Sequence, residues 1–535
     1  MGQPKRVKLS TTAQEPKVFV REATGLVREL SSLDVFVWSV IYFPWLTSWA
    51  GIFWVTPSYY RNVDYYAGLG LWAVMAMVIV LLYWQITVVM PRAGGDYVFI
   101  SRTLNGPVGF IAGFLFLMAV LISASGGSYW AFAESGTQLS FAGQVLNDTN
   151  ITALGNLITP WTTTNPGLLF GIGVVIMAVG GIAIAMGGKV FRAIVYAFFL
   201  YGFLVLAFSV IVFLTHTSAD FAAAYAQYFP GGIPKVFSDA AAKGYSPGTT
   251  LAYLGPLVPV LFVSIGPYPV MQMVGGEIKN PRRSLLYGLV VAELVSVLVW
   301  FGLTYLFDSV VGISFLEAWT LTVGGGVSTV PTVFISLFYP NSTLLWLIFM
   351  GLFIGNIGWS WLGLIFISRI FMAWSFDRVL PSALSKVNDR FHTPHVGIAL
   401  GCILACIPMY LTYFTSFITV QVNLVFLFSI VWILTSVSAI ILPYRRKSIF
   451  ETSAAHGRLG GVPILSLLGV LGVILFGYLG YNSTMNSAVG PFALGAQLFV
   501  AALIIAALVI YAASFYYNKT QGLDLRLVFG QVPPE

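Results

Sequence analysis

Phe43-Pro44-Trp45-Leu46-Thr47-Ser48-Trp49-Ala50-Gly51-Ile52-Phe53 lies within the first long apolar stretch of the chain, 33–55, and Ser264-Ile265-Gly266-Pro267-Tyr268-Pro269 lies within the sixth, 251–274. Proline removes a backbone donor and clashes with the turn before it, and glycine admits dihedrals that other residues avoid. Both stretches are therefore expected to be helices that break partway. A break at mid-depth frees amides and carbonyls: N–H groups at the start of a half-helix favour a carboxylate, and carbonyls at the end of one favour an ammonium group or a cation. The candidate ligand-binding residues are Thr47, Ser48, Trp49, Ala50 and Gly51 from the first stretch, with Ser264, Ile265, Gly266 and Tyr268 from the sixth. The plainer reading is a pair of kinked helices that hold nothing.

Outward from the two breaks, the composition is that of a membrane protein. Of 535 residues 58% are hydrophobic and 8% charged, against roughly 25% charged in a soluble domain, which excludes a water-soluble fold. A hydrocarbon layer of about 30 Å takes about 20 apolar residues per helical span. Stretches of that kind run at 33–55, 66–90, 108–133, 167–186, 193–214, 251–274, 285–311, 344–373, 396–411, 422–442, 462–481 and 491–516, separated by Pro, Gly, Asn and charges. The expected fold is an all-α polytopic membrane protein with about twelve transmembrane helices. Residues 1–32 form a polar N-terminal segment without the apolar core of a signal peptide, and 517–535 form a polar tail.

The net charge of +7 is spread too thinly for nucleic acid and reads as a topology signal. With twelve spans both termini share one side, and 23 of the 26 Lys and Arg residues fall there; Arg61, Lys235 and Lys243 are the other three. This predicts a multi-pass protein of the cell membrane, in contact with lipid, with both termini cytoplasmic. Sequons at Asn147, Asn150, Asn341 and Asn482 fall in loops that this topology places outside, so these four are glycosylation candidates, while Asn518 would be cytoplasmic. The long outer stretches 134–166, 215–250 and 312–343 are expected to be ordered lids or surface loops.

Several chemistries are missing from the inventory. Gly188-Lys189 is followed by Val190, so no phosphate-binding loop is present, and no HExxH, CxxC or EF-hand pattern occurs. Cys402 and Cys406 share one apolar run and form neither a disulfide scaffold nor a metal quartet. His216, His392, His395 and His456 lie away from mid-span, where paired haem ligands would be needed. The expectation is no metal, no cofactor and no enzymatic chemistry.

Three charged stretches interrupt the apolar chain on the side of the termini. They are Pro91-Arg92-Ala93-Gly94-Gly95-Asp96-Tyr97, then Glu277-Ile278-Lys279-Asn280-Pro281, and a run from Ser368-Arg369 to Asp377-Arg378-Val379-Leu380-Pro381. Each mixes opposite charges with Gly or Pro at a helix end, which suits an inner gate closed by ion pairs; Arg92, Glu277, Lys279 and Arg369 are the gate candidates. In order and spacing the three resemble the cytoplasmic signatures of the amino acid-polyamine-organocation superfamily of permeases. The resemblance implies a LeuT-type fold: a first five-helix repeat over 33–215, an inverted second repeat over 251–442, and peripheral helices eleven and twelve over 462–516. It also implies transport of an amino acid or related small zwitterion by alternating access, an α-amino acid carrying both charges that the paired breaks favour.

One departure bears on recognition. Where the family usually has Gly-x-Gly-Ile-Phe, this chain has Trp49-Ala50-Gly51-Ile52-Phe53; Trp49 would narrow the pocket, stack on a substrate or act as a gate, or else the unwound segment is shifted to Thr47 and Ser48. The coupling ion has two readings. A sodium ion would sit between first-helix carbonyls and hydroxyls such as Ser360, whereas a proton would use Glu293, a carboxylate near mid-depth that is either a relay or a satisfied structural group. Asp34, Glu134 and Asp308 lie nearer helix ends, where solvent accounts for them. The reading is a secondary transporter driven by a proton or sodium gradient. Its alternatives are an amino acid/polyamine exchanger, or a non-transporting membrane subunit or nutrient sensor on a permease scaffold. The absence of an Asp or Glu cluster in the expected core favours a zwitterionic or neutral substrate over a polyamine.

Overall fold

A computed structural model describes residues 28–53, 60–266, 270–323, 330–415, 424–485 and 494–531. Among the described residues eleven helices are long and apolar enough to cross a membrane, and the only described strands are the two-residue pair Arg458–Leu459 and Val462–Pro463. The fold is an all-α, multi-pass membrane protein.

The first span is two helices, α1 (Ser32–Tyr42) and α2 (Trp45–Ile52). Ser31 and Asp34 close a capping box that starts α1. Phe43 ends it because a residue before proline is pushed out of the helical region, and Pro44, with φ −62 and ψ 123, starts α2. The break thus sits about two helical turns before Gly51, ahead of both positions considered from the sequence.

The next elements are α3 (Tyr65–Val89), the short α4 (Gly95–Thr103) and α5 (Gly106–Val145). Helix α5 continues well beyond residue 133, where the hydropathy falls. Its polar residues do not end it because they are buried against other elements: Gln138 accepts from Thr332 Oγ1 at 2.8 Å, and Glu134 accepts from Asn356. Helices α6 (Pro166–Ala185) and α7 (Gly188–Thr215) complete the first half.

The sixth stretch yields α8 (Leu254–Ile265), which stops at Gly266 with ψ 155. A Cβ on Gly266 would collide with the Phe262 carbonyl oxygen, so this close approach requires glycine. Beyond it lie single 3₁₀ turns, Met271–Met273 and Gly275–Glu277, where the second half of the broken helix was expected to run to residue 274. The following span, α9 (Pro281–Val310), contains a π-helical stretch, Leu286–Val291.

The later elements are α10 (Ile313–Thr322), α11 (Ser342–Phe376), α12 (His395–Phe414), α13 (Leu424–Arg445), α14 (Ile464–Met485), α15 (Leu494–Thr520) and the short α16 (Leu525–Phe529). Helices α5 and α11 approach closely through small residues: a Cβ on Gly127 would fall 2.8 Å from the Asn356 carbonyl oxygen, and one on Gly363 would fall 2.9 Å from Ala124 Cβ. The long stretches 134–166, 215–250 and 312–343 are largely helical among the described residues, including Thr149–Ile158, Ser218–Tyr228, Gly232–Ala242 and α10. Aromatic packing of Phe221 and Tyr225 against Phe315 joins two of them. The face carrying the charged stretches is called the basic face below.

Candidate functional site

A cavity of about 50 Å³ lies where the two broken spans meet α5 and α11. The first span contributes Tyr42, Phe43, Pro44, Thr47, Ser48, Ala50 and Gly51; α8 contributes Val263 and Ser264; α5 contributes Trp130 and Glu134; α11 contributes Asn356 and Trp359. The first intrahelical bond of α2 runs from Ser48 N to Pro44 O at 2.8 Å, which leaves the Trp45, Leu46 and Thr47 amides without an intrahelical acceptor. The last carbonyls of α8 are correspondingly free of intrahelical donors. One end of the cavity's polar lining is thus positive in character and the other negative.

Of the residues expected to bind a ligand, the structure brings Thr47, Ser48, Ala50, Gly51 and Ser264 to the cavity. Trp49 does not line it. Its fully buried ring packs edge-on against Phe213 and Phe307, at centroid distances of 5.5 and 6.3 Å. Ile265 is buried outside the lining and Gly266 caps α8. Tyr268 lies outside the described residues.

Sequence reasoning missed Glu134, Asn356, Trp130, Trp359 and Tyr42. Solvent does not account for Glu134: it is buried, and its Oε2 accepts from Asn356 Nδ2 at 2.8 Å. Nor does it account for Asp34, which is buried and accepts from the Ser31 and Tyr196 hydroxyls. Asp308 accepts from Tyr66 Oη and from the Ile313 amide. The available signal at the site was spacing: Trp130 and Glu134 stand at i, i+4 on α5, and Asn356 and Trp359 at i, i+3 on α11, so each pair shares a helix face.

The coupling-ion candidates stand away from the cavity lining. Ser360 Oγ donates to the Ala124 carbonyl at 2.7 Å, joining α11 to α5. Glu293 is buried two residues after the π-helical stretch, and its Oε1 has no hydrogen-bond partner among the described residues. One turn farther along, Ser296 Oγ accepts from Trp45 Nε1 at 2.9 Å, tying α9 to the start of α2.

On the basic face Arg369 and Glu277 form a bidentate pair, Nε to Oε1 at 2.7 Å and Nη2 to Oε2 at 2.8 Å, with the side chains 6% and 13% exposed. The Leu30 amide also donates to the Glu277 carbonyl. Arg92 donates to the Pro91 carbonyl, and Lys279 is exposed. Both residues of the pair line a second cavity of about 470 Å³, with Lys189, Arg192 and Arg390 among its walls. In the first charged stretch, Asp96 accepts from Tyr83, Thr435 and Gln272; burial pushes its carboxyl above the usual range, against the pull of those hydrogen bonds.

Among the sequons, Asn147, Asn150 and Asn341 are exposed. Asn482 differs from the loop residue expected: it lies within α14, is buried, and its Nδ2 donates to the Tyr478 carbonyl.

A sequence model of the amino acid permease family matches residues 50–510. No curated protein matches the chain.

Proposed function

The chain belongs to the amino acid permease family, and from that premise we propose that it is a secondary active transporter of an amino acid or related small zwitterion, working by alternating access. The observation that carries the reading is the cavity between the start of α2 and the end of α8. A carboxylate is favoured at the free amides of α2 and an ammonium group at the carbonyl end of α8, with the Thr47, Ser48 and Ser264 hydroxyls at hand. Peptide dipoles of fixed direction take the place of water around the solute.

The proposed orientation puts the basic face in the cytoplasm of a cell-membrane protein, following the Lys/Arg asymmetry. Alternating access then requires the Arg369–Glu277 pair to open when the site faces inward. The proposed motion rocks α1–α3, α8 and α9 against the remaining helices, as expected for a LeuT-type inverted repeat. A single coupled cation supplies about 2.3 kcal/mol at about 100 mV, enough for roughly fifty-fold accumulation of a neutral substrate at about 1.4 kcal/mol per tenfold. Glu293, buried with one oxygen that has no hydrogen-bond partner among the described residues, supports a proton in that role.

Counterflow of labelled amino acids in proteoliposomes tests the function, with and without a proton or sodium gradient. Saturable exchange that is lost in Ser264→Phe, while the variant still inserts and purifies normally, is the expected result. Undiminished exchange in Ser264→Phe would remove the cavity as the binding site.

A further inference from the structure

Among the described residues that line the central cavity, Glu134 is the one charged side chain; no Lys, Arg or His shares the lining. Its Oε2 accepts from Asn356 Nδ2, and the same nitrogen also donates to the Leu352 carbonyl at 3.1 Å. Glu134 Oε1 has no hydrogen bond from a described residue, and Glu134 forms no ion pair with one. A carboxylate in such surroundings lacks a counter-charge, and burying an unpaired charge is costly. The rest of that wall is aromatic. Trp130 lies one turn from Glu134 on α5, and Trp359 and Tyr42 face the same cavity. The Trp359 indole and the Tyr42 hydroxyl share Ser123 Oγ, at 3.1 and 3.4 Å, which fixes both rings. A carboxylate beside aromatic rings is the chemistry that holds an organic cation, through charge and through the negative faces of the rings.

We infer that Glu134, with the aromatic walls of Trp130, Trp359 and Tyr42, forms an ammonium subsite that makes this permease selective for substrates with a net positive charge. The cation supplies the counter-charge that the Glu134 carboxylate lacks, and Asn356 orients the carboxylate by holding one oxygen. The dipolar ends of α2 and α8 remain available to a substrate's own carboxylate and α-ammonium. A basic amino acid would use both regions, whereas a simple diamine would use the carbonyl end of α8 and Glu134. The inference deepens the transport reading and rests on it.

The test uses the full chain in proteoliposomes, with labelled lysine, putrescine and alanine as the basic amino acid, diamine and neutral probes. Wild type is expected to exchange lysine or putrescine at least tenfold faster than alanine; which of the two is faster identifies the source of the ammonium group. Glu134→Gln should lower the ratio of cationic to alanine exchange at least tenfold, and Glu134→Asp should recover part of it. Wild-type preference for alanine, or an unchanged ratio in Glu134→Gln, would overturn the inference. So would a Glu134→Gln variant that keeps the ratio but loses its response to a proton gradient, since Glu134 would then be a proton carrier. If no probe exchanges, the transport reading fails, and the inference is read separately from ligand-induced thermal shifts. A shift by lysine or putrescine in wild type that disappears in Glu134→Gln upholds it, and no shift in wild type refutes it.

Discussion

Gly51 of α2 and Ser264 of α8 touch where the two broken spans cross: a Cβ built on Gly51 falls 2.7 Å from Ser264 Cβ and 3.1 Å from its Oγ. The neighbour here is a short side chain anchored by a 2.8 Å hydrogen bond from Ser264 Oγ to the Val260 carbonyl, so it has little room to yield. Gly51→Ala should therefore separate α2 from α8, at the cost of about 1–3 kcal/mol typical of overpacking. Exchange in proteoliposomes should fall about tenfold or more. Ser264→Gly in the Gly51→Ala background removes the clashing Cβ and should restore part of the loss; a double variant no better than the single would show that the contact is not what limits transport.

The Arg369–Glu277 pair makes a second prediction. Two parallel short hydrogen bonds between nearly buried side chains join the end of α11 to the 3₁₀ turn beyond α8. Removing one partner leaves the other charge uncompensated, which costs about 3–5 kcal/mol at a buried site. Arg369→Gln and Glu277→Gln should each reduce exchange more than tenfold. The swapped pair Arg369→Glu with Glu277→Arg should recover activity if the pair acts as a gate, and failure of the swap with retained folding would point to a role for each residue outside the pair.

Which parts of this were legible in the sequence follows from the range of the interactions involved. The spans, the basic face and the two breaks are written locally, in apolar runs, charges and Pro or Gly. Even the position of the first break is local, since Phe43 precedes Pro44; the Gly51 pattern drew attention about two turns too far along. Glu277 and Arg369 could be named as gate candidates, but only the fold pairs them and leaves Arg92 and Lys279 out of that pair. Glu134 was read as a solvated end residue because its surroundings come from Asn356, 222 positions away. Trp49 was assigned to the pocket by its place in a motif, whereas the rotation of α2 turns its ring toward Phe213 and Phe307.

On the face opposite the basic one, Glu317 of α10 gives a pH prediction. It is buried, and accepts from the Asn62 amide and from Tyr245 Oη, each at 2.9 Å. Burial pushes its carboxyl from 4.5 up to about 7, outweighing those hydrogen bonds. Because the folded value is raised, its contribution to stability is fully present below pH 4.5 and is lost as pH rises through about 7. The size is about 3 kcal/mol. Thermal denaturation in detergent should show wild type losing Tm relative to Glu317→Gln between these pH limits, and parallel curves for the two proteins would refute the assignment.

The last prediction concerns the buried ion pair beneath the Gly94-Gly95 turn. Arg102 of α4 reaches Asp377 with Nη1 to Oδ2 and Nη2 to Oδ1, both at 2.6 Å, and Tyr97 Oη donates to the same carboxylate at 2.6 Å. Both charged side chains are 1% exposed, so neither can turn to water if the other is removed. The Arg102 guanidinium also stands 5.4 Å from the Phe529 ring centroid and donates from Nε to the Gln531 carbonyl at 3.3 Å, while Arg446 donates to the Phe529 and Gly530 carbonyls. The pair therefore holds α4, the end of α11 and the segment around α16 together. Asp377→Asn should cost about 3–5 kcal/mol, read as a lower Tm and as faster proteolysis of the chain beyond α15. Arg102→Met with Asp377→Leu, which removes both charges at once, should be less destabilising than Asp377→Asn; equal losses would mean that packing against Phe529 rather than charge pairing holds this corner.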